Sequence, residues 1–345
     1  MPLTKVQSRG TENVGQGSSN VIINGAMNVA QRGTSSTGLG GSDGYFTCDR
    51  WKLAFNTSGR ITSEQDSSAP DGFGNSLKLS CTTADTSIGS GEYLFLQQKL
   101  EGQNLQAFAK GTSSAKSFAL SFYVKGNASA TYVAELYDAD NNRQVSKSFS
   151  VTTDWNRIEL IIPADTTGAF DDDNSASLNL SIWLHAGNDF QTGTLNQTWN
   201  SVTNANRVVG ISSILESTSR TFFITGVQLE VGSQVSDFQH EDIGTTLLKC
   251  KRYYQLSDAK AGHMNEGNTL FIVPSFGEEM RANATYTLNS DALTNAIHRP
   301  GIALYNVESI SNASKFYANL GSSNNFGASK NGQLNAEVII AEVEL

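Results

Sequence analysis

The sequence holds four histidines, His185, His240, His263 and His298, and no two stand three or four residues apart. A zinc site built on one helix or turn needs such spacing, so the pattern argues against zinc. Carboxylates are grouped at Asp138-Ala139-Asp140-Asn141-Asn142 and at Asp171-Asp172-Asp173-Asn174. Asp138, Asp140, Asp171 and Asp173 are weak calcium candidates. Neither run continues to the glycine and distal glutamate of a calcium loop, and turns recruit Asp and Asn without any ion. The expectation is no cofactor, with a structural calcium as the minor alternative. Catalytic patterns are missing. There is no Gly-x-Ser-x-Gly elbow, and Glu92, Glu101, Glu216 and Glu230 show no spacing that marks a general acid–base pair. Gly89-Ser90-Gly91 and Gly40-Gly41 lack the following helix and Gly-Lys-Ser/Thr of a phosphate loop, so they read as turns. No catalytic residue is assigned.

Aromatic rings remain. Sugar rings present C–H faces that stack on aromatics, while amides and hydroxyls bond their rims. Trp51 and Trp155 read as core. Trp199, in the polar stretch Asn196-Gln197-Thr198-Trp199-Asn200, is the tryptophan best placed for exposure, and Trp183 falls on the opposite strand face from Ile182 and Leu184. Trp199 and Trp183 are therefore the candidate glycan contacts.

The elements that would position these residues are strands. Phe118, Leu120, Phe122 and Val124 alternate, as do Ile158, Leu160 and Ile162, and Leu178, Leu180, Ile182 and Leu184. Short alternating segments separated by Gly, Asn and Asp turns, with no helix between them, predict an antiparallel sandwich, here a jelly roll. Residues 45–53 are also expected as strand. Ile243, Leu247, Cys250 and Tyr254 fall on one side of a helix over residues 242–255, with Asp242 as N-cap. Strands resume at 269–273, 284–288 and 336–342. The fold class is thus all-β: a jelly-roll sandwich over 21–240, a linking helix over 241–256, and a second, smaller β-sandwich over 257–345. Residues 1–20 form a polar arm.

Length and composition agree. At roughly 150 residues per domain, 345 residues suggest about two domains. Charged residues make up 17%, against about 25% in an average chain, with Ser, Thr, Asn and Gly in their place. A net charge of −9 without a basic block disfavours nucleic acid. No apolar run approaches a membrane span, and the N-terminus lacks the apolar stretch of a secretory signal. Cys48, Cys81 and Cys250 are sparse and odd in number, and read as reduced thiols.

Several phrases occur together and in order: Asn20-Val21-Ile22-Ile23-Asn24-Gly25-Ala26-Met27-Asn28-Val29-Ala30-Gln31-Arg32-Gly33-Thr34, then Asp49-Arg50-Trp51, Ile224-Thr225-Gly226-Val227-Gln228-Leu229-Glu230-Val231-Gly232, Cys250-Lys251-Arg252-Tyr253-Tyr254, and the terminal Ala341-Glu342-Val343-Glu344-Leu345. This order resembles tail-fibre and virion appendage proteins of phages. Val21 stands where leucine is usual, and Phe276-Gly277-Glu278-Glu279 precedes Met280 as an insert. The resemblance implies a carbohydrate-binding-module-like jelly roll in a structural virion protein. The expected function is a tail fibre or receptor-binding appendage facing host surface polysaccharide. It also implies a homotrimer and virion partners, with no catalytic residues. The arm would dock onto the particle through Leu3, Val6 and Val14, by strand addition. A head fibre or capsid decoration protein that stabilises the shell fits the same motifs. A glycan depolymerase is a remote third reading, disfavoured by the lack of a β-helix repeat and of a marked carboxylate pair.

Overall fold

A computed structural model describes residues 20–256, 261–264, 269–272, 279–282, 285–288, 297–299, 302–305, 309–311, 318–321, 330–334 and 339–345. The expected docking residues Leu3, Val6 and Val14 lie outside the described residues. The chain forms two compact units. The first contains residues up to 27, 35–44 and 52–240; the second contains 28–34, 45–51 and 241–345. The chain therefore leaves the first unit twice before residue 52.

The first unit is built from β1 (Ser35–Leu39), β2 (Gly44–Tyr45), β3 (Lys52–Asn56), β4 (Arg60–Asp66), β5 (Ser76–Thr83), β6 (Tyr93–Glu101), β7 (Phe118–Gly126), β8 (Ala130–Asp138), β9 (Arg143–Val151), β10 (Asn156–Ile162), β11 (Ala176–Ala186), β12 (Asn200–Ser201) and β13 (Thr221–Val231). One sheet runs β1-β4-β5-β13-β7-β10 and the other β12-β9-β8-β11-β6-β3-β2. The pairings described are antiparallel, and the two sheets make a jelly-roll sandwich, as the alternation predicts. Leu120, Phe122 and Val124 of β7 and Leu178, Leu180 and Ile182 of β11 are all buried in the core. Rings bridge the layers: Phe122 meets Phe149 edge-on at 5.0 Å, and Tyr132 meets Phe222 at 5.5 Å.

The opening motif is tied into this sandwich by its backbone. The Asn20 side chain accepts from Leu229 N and donates to the Val227 carbonyl, while Gln98 exchanges two hydrogen bonds with the Ile23 backbone. Gly25 is required by close approach, because a Cβ there would lie 2.1 Å from the Val227 carbonyl oxygen. Val227 sits in a bulge of β13 where the register slips between Thr225 and Gln228, and Gly226 adopts a left-handed φ of +62°. Two of the ordered phrases are thus the two halves of one backbone lock.

In the second unit Asp242 caps α1 (Ile243–Lys251), accepting from Gly244 N and Thr245 N, as its position before the apolar run predicts. The helix is shorter than the expected 242–255, because Tyr254 already belongs to β14 (Tyr254–Leu256). The buried face is also narrower: Thr246 and Cys250 are buried, whereas Ile243 is 53% exposed. After β14 come β15 (Ala261–Met264), β16 (Thr269–Ile272), β17 (Thr285–Leu288), β18 (Ile297–Arg299), β19 (Ile302–Tyr305), β20 (Ser309–Ser311), β21 (Ala318–Gly321), β22 (Lys330–Leu334) and β23 (Ile339–Glu342). They form a three-stranded sheet, β14-β23-β17, and a seven-stranded sheet, β19-β18-β22-β15-β16-β21-β20.

The expected strand at 45–53 is a correction. Residues 46–51 lie outside both sheets, and Arg50 has a left-handed φ of +72°. The reason is electrostatic. Arg50, 1% exposed, pairs with Glu344 and lies over the Tyr253 ring at 3.5 Å. Arg32 pairs with Glu342 at 2.9 Å and Glu344 at 3.1 Å, and stacks on Tyr254 at 3.8 Å. Asp49 accepts from Gln31 N. The remaining ordered phrases therefore converge on one buried charge network that holds α1, β14 and the last residues of the chain.

Candidate functional site

The outer face of the sheet containing β11 carries an unusual side-chain population. Cross-strand register aligns it in three rows. Gln144, Tyr137, Asn179 and Lys99 form the first; Ser146, Glu135, Ser181, Gln97 and Lys52 the second; Ser148, Val133, Trp183, Phe95 and Ala54 the third. Amides, hydroxyls and aromatic rings thus lie side by side where a sandwich sheet normally meets solvent with charge.

This face is partly roofed by residues 187–212. Ser146 N donates to the Asn196 carbonyl, and Ser212 N to the Thr131 carbonyl, so the segment is fastened along β9 and β8. Beneath it Trp183 packs with Val133, Ala186 and Val208, and against Phe95 at 4.6 Å. Glu135, fully buried, accepts from the Trp183 indole at 2.9 Å and from two Arg207 nitrogens at 2.7 Å each. The paired guanidinium lies 4.8 Å from the Trp183 ring and 5.9 Å from Tyr137. Such a fully engaged carboxylate is a fixed acceptor, and the bidentate pair fixes the plane of Arg207.

Beside this pair lie polar groups without protein partners. Both amide atoms of Gln144, the Ser146 hydroxyl, the Asn179 carbonyl oxygen and the Asn196 amide nitrogen are buried and accept or donate nothing within the protein. Burying such groups unpaired costs about 1–3 kcal/mol each. Toward β6 the face opens: Tyr93 and Phe95 stack at 5.3 Å with planes 25° apart, and both are only half-buried. A ledge of stacked rings flanked by amides suits a ligand with apolar faces and hydroxyl rims.

The residues singled out from sequence fall differently. Trp199 is not exposed. It is 7% accessible, donates its indole N–H to the Pro163 carbonyl at 2.9 Å, and packs on Phe118. Its polar neighbours in sequence concealed a core residue. Trp183 does face away from the main core, but at 1% exposure under the roof it is a support, and the rings open to a ligand are Tyr93, Phe95 and Tyr137. Sequence reading missed those three; the pairing Phe95–Trp183 across β6 and β11 was the signal available. Asp138 is fully buried and pairs with Lys110 at 2.6 Å, which also meets Asp165 at 3.1 Å. Asp140 accepts from Asp171 N at 3.0 Å, and Asp173 from Ser175 N at 2.8 Å. The Asp138, Asp140 and Asp173 carboxylates serve an ion pair and turns, and Asp171 contributes its backbone N–H. Burial opposes ionisation of Asp165, but Arg143, Thr167 N and Lys110 hold its pKa below the usual value.

No family model matches the sequence, and no curated protein does. Solved structures do. The enzymatically active domain of tailspike protein 4 from bacteriophage CBA120 aligns over 62% of this chain at 12% identity with a TM-score of 0.30; the alignment spans 21% of that longer chain. A family 11 carbohydrate-binding module from Clostridium thermocellum, solved with a β-1,3-1,4-mixed-linked tetrasaccharide, aligns over 60% of this chain and 98% of its own, at 12% identity and TM-score 0.30. The module TmCBM61, solved with β-1,4-galactotriose, aligns over 62% and 100%, at 11% identity and TM-score 0.32.

Proposed function

We propose that this chain is a non-catalytic, glycan-binding structural subunit of a phage particle, displayed as a tail fibre or other receptor-binding appendage. One observation carries the glycan reading: the three cross-strand rows on the outer sheet face, which set amides and hydroxyls of β9, β8 and β11 on the same surface as the Tyr93–Phe95 ledge of β6. Neutral polar groups next to stacked rings select polyhydroxylated ligands over anions or nucleic acid. Glu135 fixes the plane of the partly exposed Arg207 guanidinium, whose remaining N–H groups are donors that can orient a sugar hydroxyl. The phage setting rests on the ordered phrases from Asn20 to Leu345, whose residues build the backbone lock and the buried charge network.

The test has two arms. Fluorescently labelled protein is applied to an array of bacterial surface polysaccharides, and antibody against the chain is applied to purified phage particles. The reading expects saturable glycan binding that Phe95→Ala and Tyr137→Ala weaken about tenfold, and antibody on a tail appendage. Absence of glycan binding together with antibody on the capsid surface would replace it with shell decoration. Release of reducing sugar from a bound polysaccharide would overturn the non-catalytic part.

A further inference from the structure

A second cluster lies apart from the sheet face, where the ends of β5, β6 and β11 meet. Asp85 follows β5, Glu92 immediately precedes β6, and His185 is the penultimate residue of β11. One ligand-competent atom from each lies within 4.8 Å of the other two. His185 is fully buried, Asp85 is 3% exposed, and the Glu92 side chain is 19% exposed.

The backbone brings His185 here through a bulge. Trp183 pairs with Phe95, but His185 pairs with Leu94, so β11 holds one residue more than β6 at this step. The slip turns His185 off the outer face and onto the side of Leu94, toward the interior. The loops are clamped as well. Gly187 N donates to the Glu92 carbonyl at 2.8 Å, Asp189 N to the Ser90 carbonyl at 2.9 Å, and Asp85 N to the Leu215 carbonyl at 2.8 Å. A Cβ on Gly187 would stand 2.0 Å from the Gly89 carbonyl oxygen, so the two loops touch backbone to backbone.

The side chains are oriented from behind and unpartnered in front. His185 Nδ1 is 2.8 Å from Ser213 Oγ, so the imidazole is held from behind; in the tautomer with the ring proton on Nδ1, the lone pair lies on Nε2. Asp85 Oδ2 accepts from the Thr57 and Ser58 hydroxyls and from Ser58 N, and Oδ1 accepts from Ser87 N. In front, His185 Nε2 and Glu92 Oε2 are buried, without hydrogen-bond partners, and 3.6 Å apart. An imidazole lone pair and two carboxylates converge on one spot, and a cation placed between them removes their mutual repulsion.

We propose that Asp85, Glu92 and His185 bind a divalent transition-metal ion of the zinc class. A nitrogen donor with two oxygens suits zinc far better than calcium, which takes six or more oxygens. At metal–ligand distances of about 2.0–2.2 Å, tetrahedral ligands stand about 3.4 Å apart, close to the His185–Glu92 separation. Ser213, and Thr57 with Ser58, are the groups that orient the imidazole and Asp85, the arrangement by which metal ligands are commonly held. The fourth position falls to water. The site is structural in this account: it joins the ends of three strands and the Ser213 segment.

The test uses the full chain, stripped with chelator and titrated with zinc chloride by calorimetry, with metal content measured after dialysis. The expected result is one zinc per chain and a higher melting temperature with zinc than without. His185→Gln and Glu92→Gln should each weaken affinity at least 100-fold, and Ser213→Ala about tenfold, since loss of an orienting group costs about 10–100-fold. The control His240→Gln, at an exposed histidine, should bind as the parent chain does. Cobalt added instead of zinc should give the visible absorption of four-coordinate Co(II), absent in Glu92→Gln. Should His185→Gln fail to fold, Glu92→Gln and Ser213→Ala decide the matter, being less disruptive. No stoichiometric zinc, zinc affinity unchanged by Glu92→Gln and Ser213→Ala, or a preference for calcium over zinc would each overturn the proposal.

Discussion

Replacing Glu344 by glutamine removes the carboxylate shared by Arg50 and Arg32 while keeping the side chain's shape. Arg50 is 1% exposed at its side chain and loses the Glu344 carboxylate, whereas Arg32 retains Glu342 at 2.9 Å and Asp49 at 3.8 Å. Removing one partner of a buried ion pair costs about 3–5 kcal/mol. Arg50→Met leaves Glu344 with Arg32 at 3.1 Å and sacrifices the stack on Tyr253, so its cost is about 2–4 kcal/mol. The double variant E344Q/R50M leaves no stranded guanidinium at position 50. It should fall short of the sum of the two single changes by about 2 kcal/mol or more. For a unit of about 120 residues, each kcal/mol shifts the melting temperature by roughly 3–6 °C, so E344Q should melt at least 10 °C lower by calorimetry. A shift below 2 °C, or strict additivity in the cycle, would refute the view that the terminal motif exists to neutralise Arg50.

Other expectations follow from the first unit. Lys110→Met leaves the buried Asp138 and Asp165 carboxylates without their shared ammonium and should lower urea stability by about 3–5 kcal/mol; an effect under 1 kcal/mol would contradict the ion-pair role. Asp165 titrates below its unfolded value, so its stabilisation is present above about pH 4 and fades as pH falls through and below that range. Asp165→Asn should therefore flatten the acid limb of a stability–pH curve, and an unchanged limb would show that the carboxylate is idle. Gly25→Ala drives a Cβ into the Val227 carbonyl and should cost about 3 kcal/mol or more, measured as a drop in denaturant midpoint.

Alternation was enough to place β7, β10 and β11, because one buried face per strand leaves a period of two in the residues; β1, β4, β6 and β9 carry more polar residues and were not placed by it. The N-cap of α1 was equally legible, since Asp242 stands directly before the apolar run. What the alternation hides is where a strand breaks step. The bulge between Trp183 and His185 adds one residue, and that residue decides that His185 joins Asp85 and Glu92. Histidine spacing pointed away from zinc because it reports ligands on one local element; these three come from positions 85, 92 and 185. Trp199 was misjudged since polarity of sequence neighbours says little about a loop folded back onto Phe118. Arg50 was placed in a strand by the apolar residues around it, while its left-handed φ answers to a glutamate almost 300 residues away. The ordered phrases were visible as a pattern, but only the fold separates the lock around Gly25 from the charge network around Glu344.

The outer face of β6, β8 and β11 is the proposed sugar-binding surface. The direct measurement is hydrogen–deuterium exchange of the full chain with and without the polysaccharide that scores highest on the array. Protection concentrated in residues 93–99, 133–137 and 177–183 is the predicted result. Protection confined to other segments, or none at saturating glycan, would contradict it.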